Sequence, residues 1–357
     1  MVAPGPHGGQ EVAARAATGA TSRIVRIGGP TMPYDDTYHW LLRMDKIRAL
    51  VRAEAPDVVE HHSPYFAALA ASFLRRDSYG VRTAFWHSNH VDTFARPWLE
   101  RRFPARVADL VLEPGWAAVR SSFRGCEAVF TASRAEFATL VVHGVKGVHC
   151  VPFGVDRGEF RPRGNASVIR AQLNVGAGQH FLIAGGRLAA EKRWDVAIDA
   201  MGHLSEAFKL IIVGDGPERA QLEARAASLP QGRVAIVPFV KARNDFAELL
   251  SAADAYVHAC PYETFGLTVG EAVACGTPVV VPDRGGAQES GAGGAHFLYA
   301  ALDPQAMARS IELAIAQGVK QHAIALAAHA RDENDHILEV LATYEQLLAK
   351  RSAGQPS

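Results

Sequence analysis

The sequence predicts an α/β protein built from two doubly wound, Rossmann-like domains that face one another across a cleft. Three observations carry this expectation. Short β-rich apolar runs alternate with longer helix-patterned stretches, as in parallel sheets with helical crossovers. Residues 153–178, rich in Gly, Pro and Arg and without sustained periodicity, divide that alternation into two series and read as a hinge. The chain has 357 residues, room for two domains of about 100 to 200 residues each.

In the first series the strands are expected at Arg23–Ile27, Asp57–His61, Arg82–Trp86, Glu127–Thr131 and Val148–Pro152. Helical patterns cover Thr37–Glu54, Phe66–Arg75, Trp98–Ser122 and Arg134–His143. The second series places strands at Phe181–Gly185, Lys209–Val213, Arg233–Val237, Ala255–His258, Pro278–Val281 and Ala295–Leu298. Its helices run over Trp194–Met201, Pro217–Ser228, Asp245–Ala252, Gly266–Cys275 and Pro304–Ala316. The tail, Val319–Lys350, is helical, polar and poor in breakers, and either packs along the outside or crosses back to the first domain. The expected divisions are thus 1–155, 156–318 and 319–357. Met1–Pro6 reads as the end of a strand entering a loop, so the first domain is expected to be shortened at its start by one β-α unit.

Composition bounds the function. With 48% hydrophobic and 21% charged residues and a mean hydropathy of zero, the chain is globular rather than disordered, fibrous or disulfide-stapled. Lys+Arg and Asp+Glu number 37 each, so no overall basic field gathers nucleic acid, and any anion site must be local. No apolar run reaches the roughly 18 residues of a membrane span, and Met1–Ala20 lacks the apolar core of a signal peptide. The expected compartment is the cytoplasm. Cys126, Cys150, Cys260 and Cys275 form no C-x-x-C pair and have no companion histidines at zinc spacing, so they read as reduced small residues.

Two stretches carry chemistry. In Phe181–Ala200 an apolar strand ends at Gly185-Gly186, and Arg187 and Lys192 follow in the loop. Two cations at the carboxyl end of a parallel strand, where open α/β sheets bind ligands, suit a diphosphate. Isolated, they would be solvated surface charges; the Gly-Gly turn in front of them argues otherwise. In Cys260–Pro278, Glu263 and Glu271 stand eight residues apart. On one helix they would differ by about 80° and about 12 Å. The simpler reading leaves Glu263 in a loop and starts a helix near Gly266, whose first amides, at Phe265, Gly266 and Leu267, suit phosphate. The two carboxylates then grip hydroxyls on either side. The bland alternative is a surface loop and an ordinary helical Glu, although Gly266, Gly270 and Gly276 suit a helix that something approaches closely. The segment VGDGPE is only a partial G-x-G-x-x-G, with Arg219 at the third glycine position, which disfavours an NAD dehydrogenase. No P-loop, G-x-S-x-G elbow or D-x-D triplet occurs.

With these motifs the chain resembles the family 4 ("group 1") retaining glycosyltransferases of the GT-B fold. The matching pieces are GRLAAEK (186–192), VGDGP (213–217), VPFV and the helix ending SAAD (237–254), the E-x7-E segment ETFGLTVGEAVACGTPVV, and GGAQE (285–289). FTASRAE (130–136) and VPFGVD (151–156) match the end of the family's first domain, and the whole spans roughly residues 57–316. The resemblance implies an N-terminal acceptor-side domain and a C-terminal domain that binds the nucleotide sugar. It implies that Arg187 and Lys192 bind the donor diphosphate, Glu271 the ribose hydroxyls, and Glu263 with the amides of Phe265 and Gly266 the sugar. The base would rest against the segment Phe239–Val240–Lys241. His87, ending TAFWHS, would reach the transferred sugar. By spacing alone His87, His90 and Asp92 could instead begin a metal site, but a fourth ligand is lacking nearby.

The implied reaction is transfer, with retention, from a UDP- or GDP-linked sugar to a hydroxyl of a glycan, lipid or small molecule. The leaving diphosphate would help take the acceptor's proton, with no cofactor and no metal. A GT-B epimerase or hydrolase, or a catalytically impaired binding protein, are the alternatives. Arg96, Arg101, Arg102 and Arg106, interleaved with Trp98, Leu99 and Phe103, form either a solvated helix and loop near the acceptor side or a basic face for anionic lipid at the inner membrane surface. Pro97 and Pro104 argue against one long membrane helix.

Overall fold

The computed structural model describes residues 1–5, 11–15, 21–32, 35–62 and 66–354. The chain opens with β1 (Val2–Gly5), β2 (Glu11–Arg15) and β3 (Thr21–Gly28), a three-stranded sheet in the order β1-β3-β2. Met1–Gly5, expected as a strand end, thus holds a strand of its own, parallel to β3, while Pro6 lies outside the described residues. An antiparallel pair follows, β4 (Thr31–Met32) and β5 (Asp35–His39), and helix α1 begins only at Met44 (Met44–Glu54). This corrects the helix expected from Thr37. The chain there is held extended, with the Trp40 amide bonded to the Pro30 carbonyl at 2.8 Å.

Next come β6 (Val58–His61), α2 (Phe66–Ser72), β7 (Val81–Trp86), α3 (Arg96–Glu100), α4 (Ala105–Ser122), β8 (Ala128–Thr131), α5 (Arg134–Val142) and β9 (Val148–Cys150). Strands β6-β7-β8-β9 form a parallel sheet in sequence order. The described strands of the first domain therefore fall into separate sheets, bridged by an apolar cluster in which Ile27, Ile47, Val51 and Ala70 meet Val2 and Val59. The single helix expected over Trp98–Ser122 is broken at 101–104. Pro104 has no amide hydrogen for α3's ladder and instead precedes the first residue of α4.

The second domain runs α6 (Ala166–Gln172), β10 (His180–Gly185), α7 (Trp194–Met201), β11 (Phe208–Val213), α8 (Arg219–Ala226), β12 (Val234–Val237), α9 (Arg243–Ala252), β13 (Ala255–Val257), α10 (Leu267–Ala274), β14 (Val279–Pro282), α11 (Ala287–Gly291), β15 (His296–Tyr299) and α12 (Pro304–Ala316). Helix α6 falls inside the segment expected to be irregular. The six strands are parallel in the order β12-β11-β10-β13-β14-β15, so the winding reverses between β10 and β13. Successive residues of β10 feed opposite cores, Leu182 and Ala184 on one face and Phe181 and Ile183 on the other. A parallel sheet covered on both faces needs that continuous apolar run.

Both placements expected for the tail occur in turn. Helix α13 (Lys320–Ala327) lies on the second domain, where Ile324 abuts Gly276. Helix α14 (Glu333–Ser352) starts from a capping box at Asp332 and crosses to the first domain. There Val340, Tyr344 and Leu347 pack against the cluster of Phe85, Ala128 and Phe130. The backbone of Val155 bonds both Arg331 (3.0 Å) and Glu333 (3.1 Å), tying the hinge to this crossover.

Candidate functional site

The loop after β10 is shaped by close backbone contact. Gly186 has φ 148°, and a Cβ placed on Gly214 would fall on the Gly186 carbonyl oxygen, so the glycines of VGDGP serve to seat one loop on the other. Trp194, buried at the start of α7, donates its Nε1 hydrogen to the Arg187 carbonyl at 3.0 Å and fixes the turn. Arg187 then stands half-exposed with Glu191 at 3.4 Å, and Lys192 points into the cleft.

Lys192 Nζ donates to Glu263 Oε2 at 2.6 Å, so the two stretches singled out in the sequence meet at one ion pair. The pair is largely sheltered, with side chains 24% and 19% exposed. Burial pushes the Glu263 carboxyl up, but Lys192 outweighs it and holds the group below its ordinary range; reciprocally, Lys192 is raised despite burial. Behind Glu263 lies His258, 2% exposed, with Nε2 3.6 Å from the same oxygen. Burial lowers His258 to about 4. His258, Cys260 and Glu263 offer ligand atoms within 4.8 Å of one another, a grouping in space that no zinc spacing in the sequence marks. Burial raises the Cys260 thiol to about 12, and Lys192 already occupies Glu263, so the cluster offers a protonated thiol and a carboxylate paired with a cation where a metal would need free anions. The four cysteines are free thiols.

Glu271 lies a turn inside α10 and is approached by Arg243 of α9 at 4.0 Å. Burial raises this carboxyl to about 7, with Arg243 opposing. Helix α10 starts at Leu267 after Gly266 in the left-handed region (φ 88°), and Phe265, Gly266 and Leu267 donate no backbone hydrogen bond among the described residues. The close neighbours that the glycines suggested are the protein's own, for Gly270 meets Val155 and Gly276 meets Ile324. Phe239 is 63% exposed beyond β12, and Val240 beside it is partly buried against the core.

The first domain brings His87 to the same cleft from the end of β7. Its carbonyl accepts the Thr264 hydroxyl at 2.7 Å, and its ring lies on Phe85 at 4.4 Å. Burial and neighbouring His62 lower His87 to about 4. The structure does not gather His87, His90 and Asp92: His87 bonds His62, and Asp92 is taken by Arg96 at 2.8 Å. A second tie between the domains is Glu289, whose carboxylate accepts the amides of Arg134 (2.7 Å) and Ala135 (2.8 Å) at the start of α5. Glu60, His62, Arg243 and Glu289 were not singled out in the sequence. Glu289 lay in a quoted motif, GGAQE, and Arg243 in the quoted segment 237–254.

Outside this group a cleft of about 530 Å³ opens between the domains, lined by Trp98, Arg101, Arg193, Glu218 and Tyr262 among others, and by none of the residues assigned to the donor. In the basic segment Arg96 is held by Asp92, Glu100 and Asp109. Phe103, Val107, Leu110 and Val111 are exposed beside Arg102 and Arg106, with Leu110 75% accessible. No helix among the described residues is long and apolar enough to cross a membrane.

Two facing Rossmann-like domains with a carboxylate–cation cluster at the switch point of the second define the GT-B class. Residues 2–159 match the model of Glycosyltransferase Family 4, and residues 166–331 that of the Glycosyl transferases group 1. The chain belongs to this family. A GDP-mannose-dependent α-(1-6)-phosphatidylinositol dimannoside mannosyltransferase of Mycobacterium tuberculosis is 32% identical over 265 residues, covering 72% of this chain and 65% of that protein. The match thus spans a little under two thirds of that relative. A GDP-mannose-dependent α-mannosyltransferase of the same species is 28% identical, covering 81% and 71%. Among solved structures, Thermosynechococcus elongatus sucrose-phosphate synthase has a TM-score of 0.75 at 21% identity, covering 94% of this chain and 86% of that one. Anabaena HepE in complex with UDP has a TM-score of 0.71 at 20% identity, covering 90% and 86%. These likenesses give the fold.

Proposed function

We propose that this chain transfers a glycosyl group from a nucleotide diphosphate sugar to a hydroxyl of a lipid or glycan acceptor, with retention and without a resident metal. The observation that carries the reading is the Lys192–Glu263 contact, which joins the two motif loops with Arg187 beside them. A diphosphate entering there meets Arg187, Lys192 and the amides of Phe265, Gly266 and Leu267. Glu263 then turns to the sugar hydroxyls, Glu271 to the ribose, and His87 approaches the sugar from the other domain. As the sugar–oxygen bond breaks, negative charge grows on the diphosphate, and fixed cations with oriented amides stabilise it without reorganising. The acceptor is held on the face the diphosphate leaves, so the departing oxygen can take its proton and the anomeric configuration is kept.

GDP-mannose is the favoured donor, because the two relatives described above carry it in their names. Binding of the base falls to the exposed Phe239. The apolar and basic surface from Phe103 to Val111 supports a peripheral cytoplasmic site of action on anionic membrane, where a lipid acceptor would be presented. The direct test offers GDP-mannose and UDP-glucose with a mannosylated phosphatidylinositol acceptor, with and without EDTA. Transfer from GDP-mannose that persists in EDTA, with the α-linkage retained, is expected. Inversion, strict dependence on a divalent ion, or turnover of the donor equally fast without acceptor would overturn the reading.

A further inference from the structure

Next to the cleft, a chain of hydrogen-bonding side chains ends on His87. Glu60, the third residue of β6, accepts from the Tyr344 hydroxyl of α14 at 2.7 Å and from the Thr83 hydroxyl at 3.1 Å. Its other carboxylate oxygen lies 3.0 Å from His62 Nε2. His62 Nδ1 in turn lies 2.5 Å from His87 Nε2. The two imidazole planes are within 12° of each other, with centroids 4.8 Å apart. That separation is the nitrogen–nitrogen distance plus a ring radius at each end, so the bond runs in the plane of both rings. Both rings lie parallel to Phe85, within 1° for His62 at 6.0 Å and within 13° for His87 at 4.4 Å. Of the four ring nitrogens, three are engaged in this chain.

We propose that Glu60 and His62 are positioning residues that set the tautomer of His87, and through it whether His87 gives or takes a hydrogen bond at the sugar. The assignment rests on His87 reaching the transferred sugar, as in the function proposed above. The proton count fixes the logic. Glu60 is ionised, being held below its ordinary range by His62 and Tyr344 against the opposing effect of burial, so His62 Nε2 must carry a hydrogen. When His62 is neutral its Nδ1 is bare, so His87 donates from Nε2 and shows the site a bare Nδ1. When His62 takes a proton, its Nδ1 donates, His87 Nε2 accepts, and the His87 hydrogen moves to Nδ1. His87 itself stays neutral above about 4. What a proton on His62 changes is therefore which partner His87 can bind, not the charge on His87. The titratable groups facing the pair are Glu60 from β6 and His336 and Tyr344 from α14. His336 is engaged separately, by the Pro152 carbonyl at 3.2 Å.

The test reads the ring nitrogens directly, by long-range ¹H–¹⁵N correlation on the full chain without substrate, from about pH 5 to about pH 9. In the unmodified chain His87 is expected to change from the Nδ1–H form at the acid end of this range to the Nε2–H form at the basic end. Glu60→Gln, whose amide can give as well as take a hydrogen, and His62→Phe, which keeps the stack on Phe85, should each abolish that switch. Tyr344→Phe removes a different bond to Glu60 and should preserve it. In kinetics, Glu60→Gln should lower kcat about tenfold and remove one limb of its pH profile, with donor KM changed by less than about twofold. Unchanged His87 nitrogen signals in both Glu60→Gln and His62→Phe would overturn the proposal. If the switch is seen but the unmodified chain transfers no sugar, the relay stands and the proposed reaction fails.

Discussion

Arg187 and Lys192 belong to one motif, yet they are not equivalent residues. Replacing Arg187 by alanine removes a half-exposed cation and should lower transfer by about 10² to 10³ with the melting temperature unchanged. Lys192→Ala should lower transfer as much, but it also strands a sheltered carboxylate at Glu263. Removing one member of a buried pair costs about 3 to 5 kcal/mol, and the residual exposure of this pair places it at the lower end. Because the folded Glu263 carboxyl is depressed, its stabilising contribution is present above the ordinary carboxylate range and lost as pH falls through the depressed value. Lys192→Ala should therefore also flatten the acid limb of thermal stability, as pH-dependent melting would show.

Glu271 has the opposite sign. Its folded carboxyl is raised to about 7, so stability falls as pH rises from the unfolded carboxylate range to about 7. Glu271→Gln should raise stability above about pH 7 by on the order of 3 kcal/mol and leave it unchanged in acid. The same change should weaken nucleotide binding, since ionised Glu271 is the stronger acceptor for ribose hydroxyls. Calorimetric titration with the nucleoside diphosphate should show the unmodified chain binding more tightly as pH rises through 7, and the variant indifferent to it. Tighter binding by the variant would remove Glu271 from the ribose.

Among the elements, α3 and α4 show how a proline and an ion cluster divide one basic run between two jobs. Pro104 ends the first helix, and Arg96 is consumed by three carboxylates, so it has no charge to offer a membrane. Arg102 lies over the Trp98 ring at 4.5 Å, and Phe103, Val107, Leu110 and Val111 extend this surface along α4. Vesicles containing anionic phospholipid should bind the protein, and Leu110→Glu combined with Arg102→Glu should abolish that binding while leaving the melting temperature unchanged. Binding retained by the double variant would assign this face to solvent or to a protein partner.

At the scale of the whole molecule, named contacts tie the two domains together across the cleft. Thr264 bonds the His87 carbonyl, Glu289 accepts two amides at the start of α5, and α14 spans both domains. A carboxylate at a helix start satisfies free amides and meets the positive end of the helix dipole. Glu289→Ala should cost about 1 to 2 kcal/mol and favour a more open arrangement, visible as a larger radius of gyration in small-angle scattering. Glu289→Gln should retain part of the contact. An unchanged radius in both variants would show that the remaining contacts, Thr264 on His87 and α14 on the first domain, hold the domain angle without Glu289.

Every strand expected in the sequence recurs within a residue or two, most plainly at the centre of the second sheet, where parallel strands covered on both faces need continuous apolar runs. The switch-point loop, Arg187, Lys192, Glu263 and Glu271 were legible for a related reason: glycines and charges placed directly after such strands have few structural uses. Less visible were the short strands before Met44, since Asp35–His39 carries no apolar run and is held by pairing with another segment. Glu60 and His62 likewise looked ordinary. Their meaning comes from His87, 25 residues on, and Tyr344, 284 residues from Glu60, being carried to the same place. Sequence alone thus determined the fold class and which glycines and charges stand in the loops after the strands, which depend on local pattern. Tertiary structure decided which charges are paired, which carboxyl is raised and which depressed, and which histidine speaks to which, because those follow from burial and from neighbours that only folding brings together.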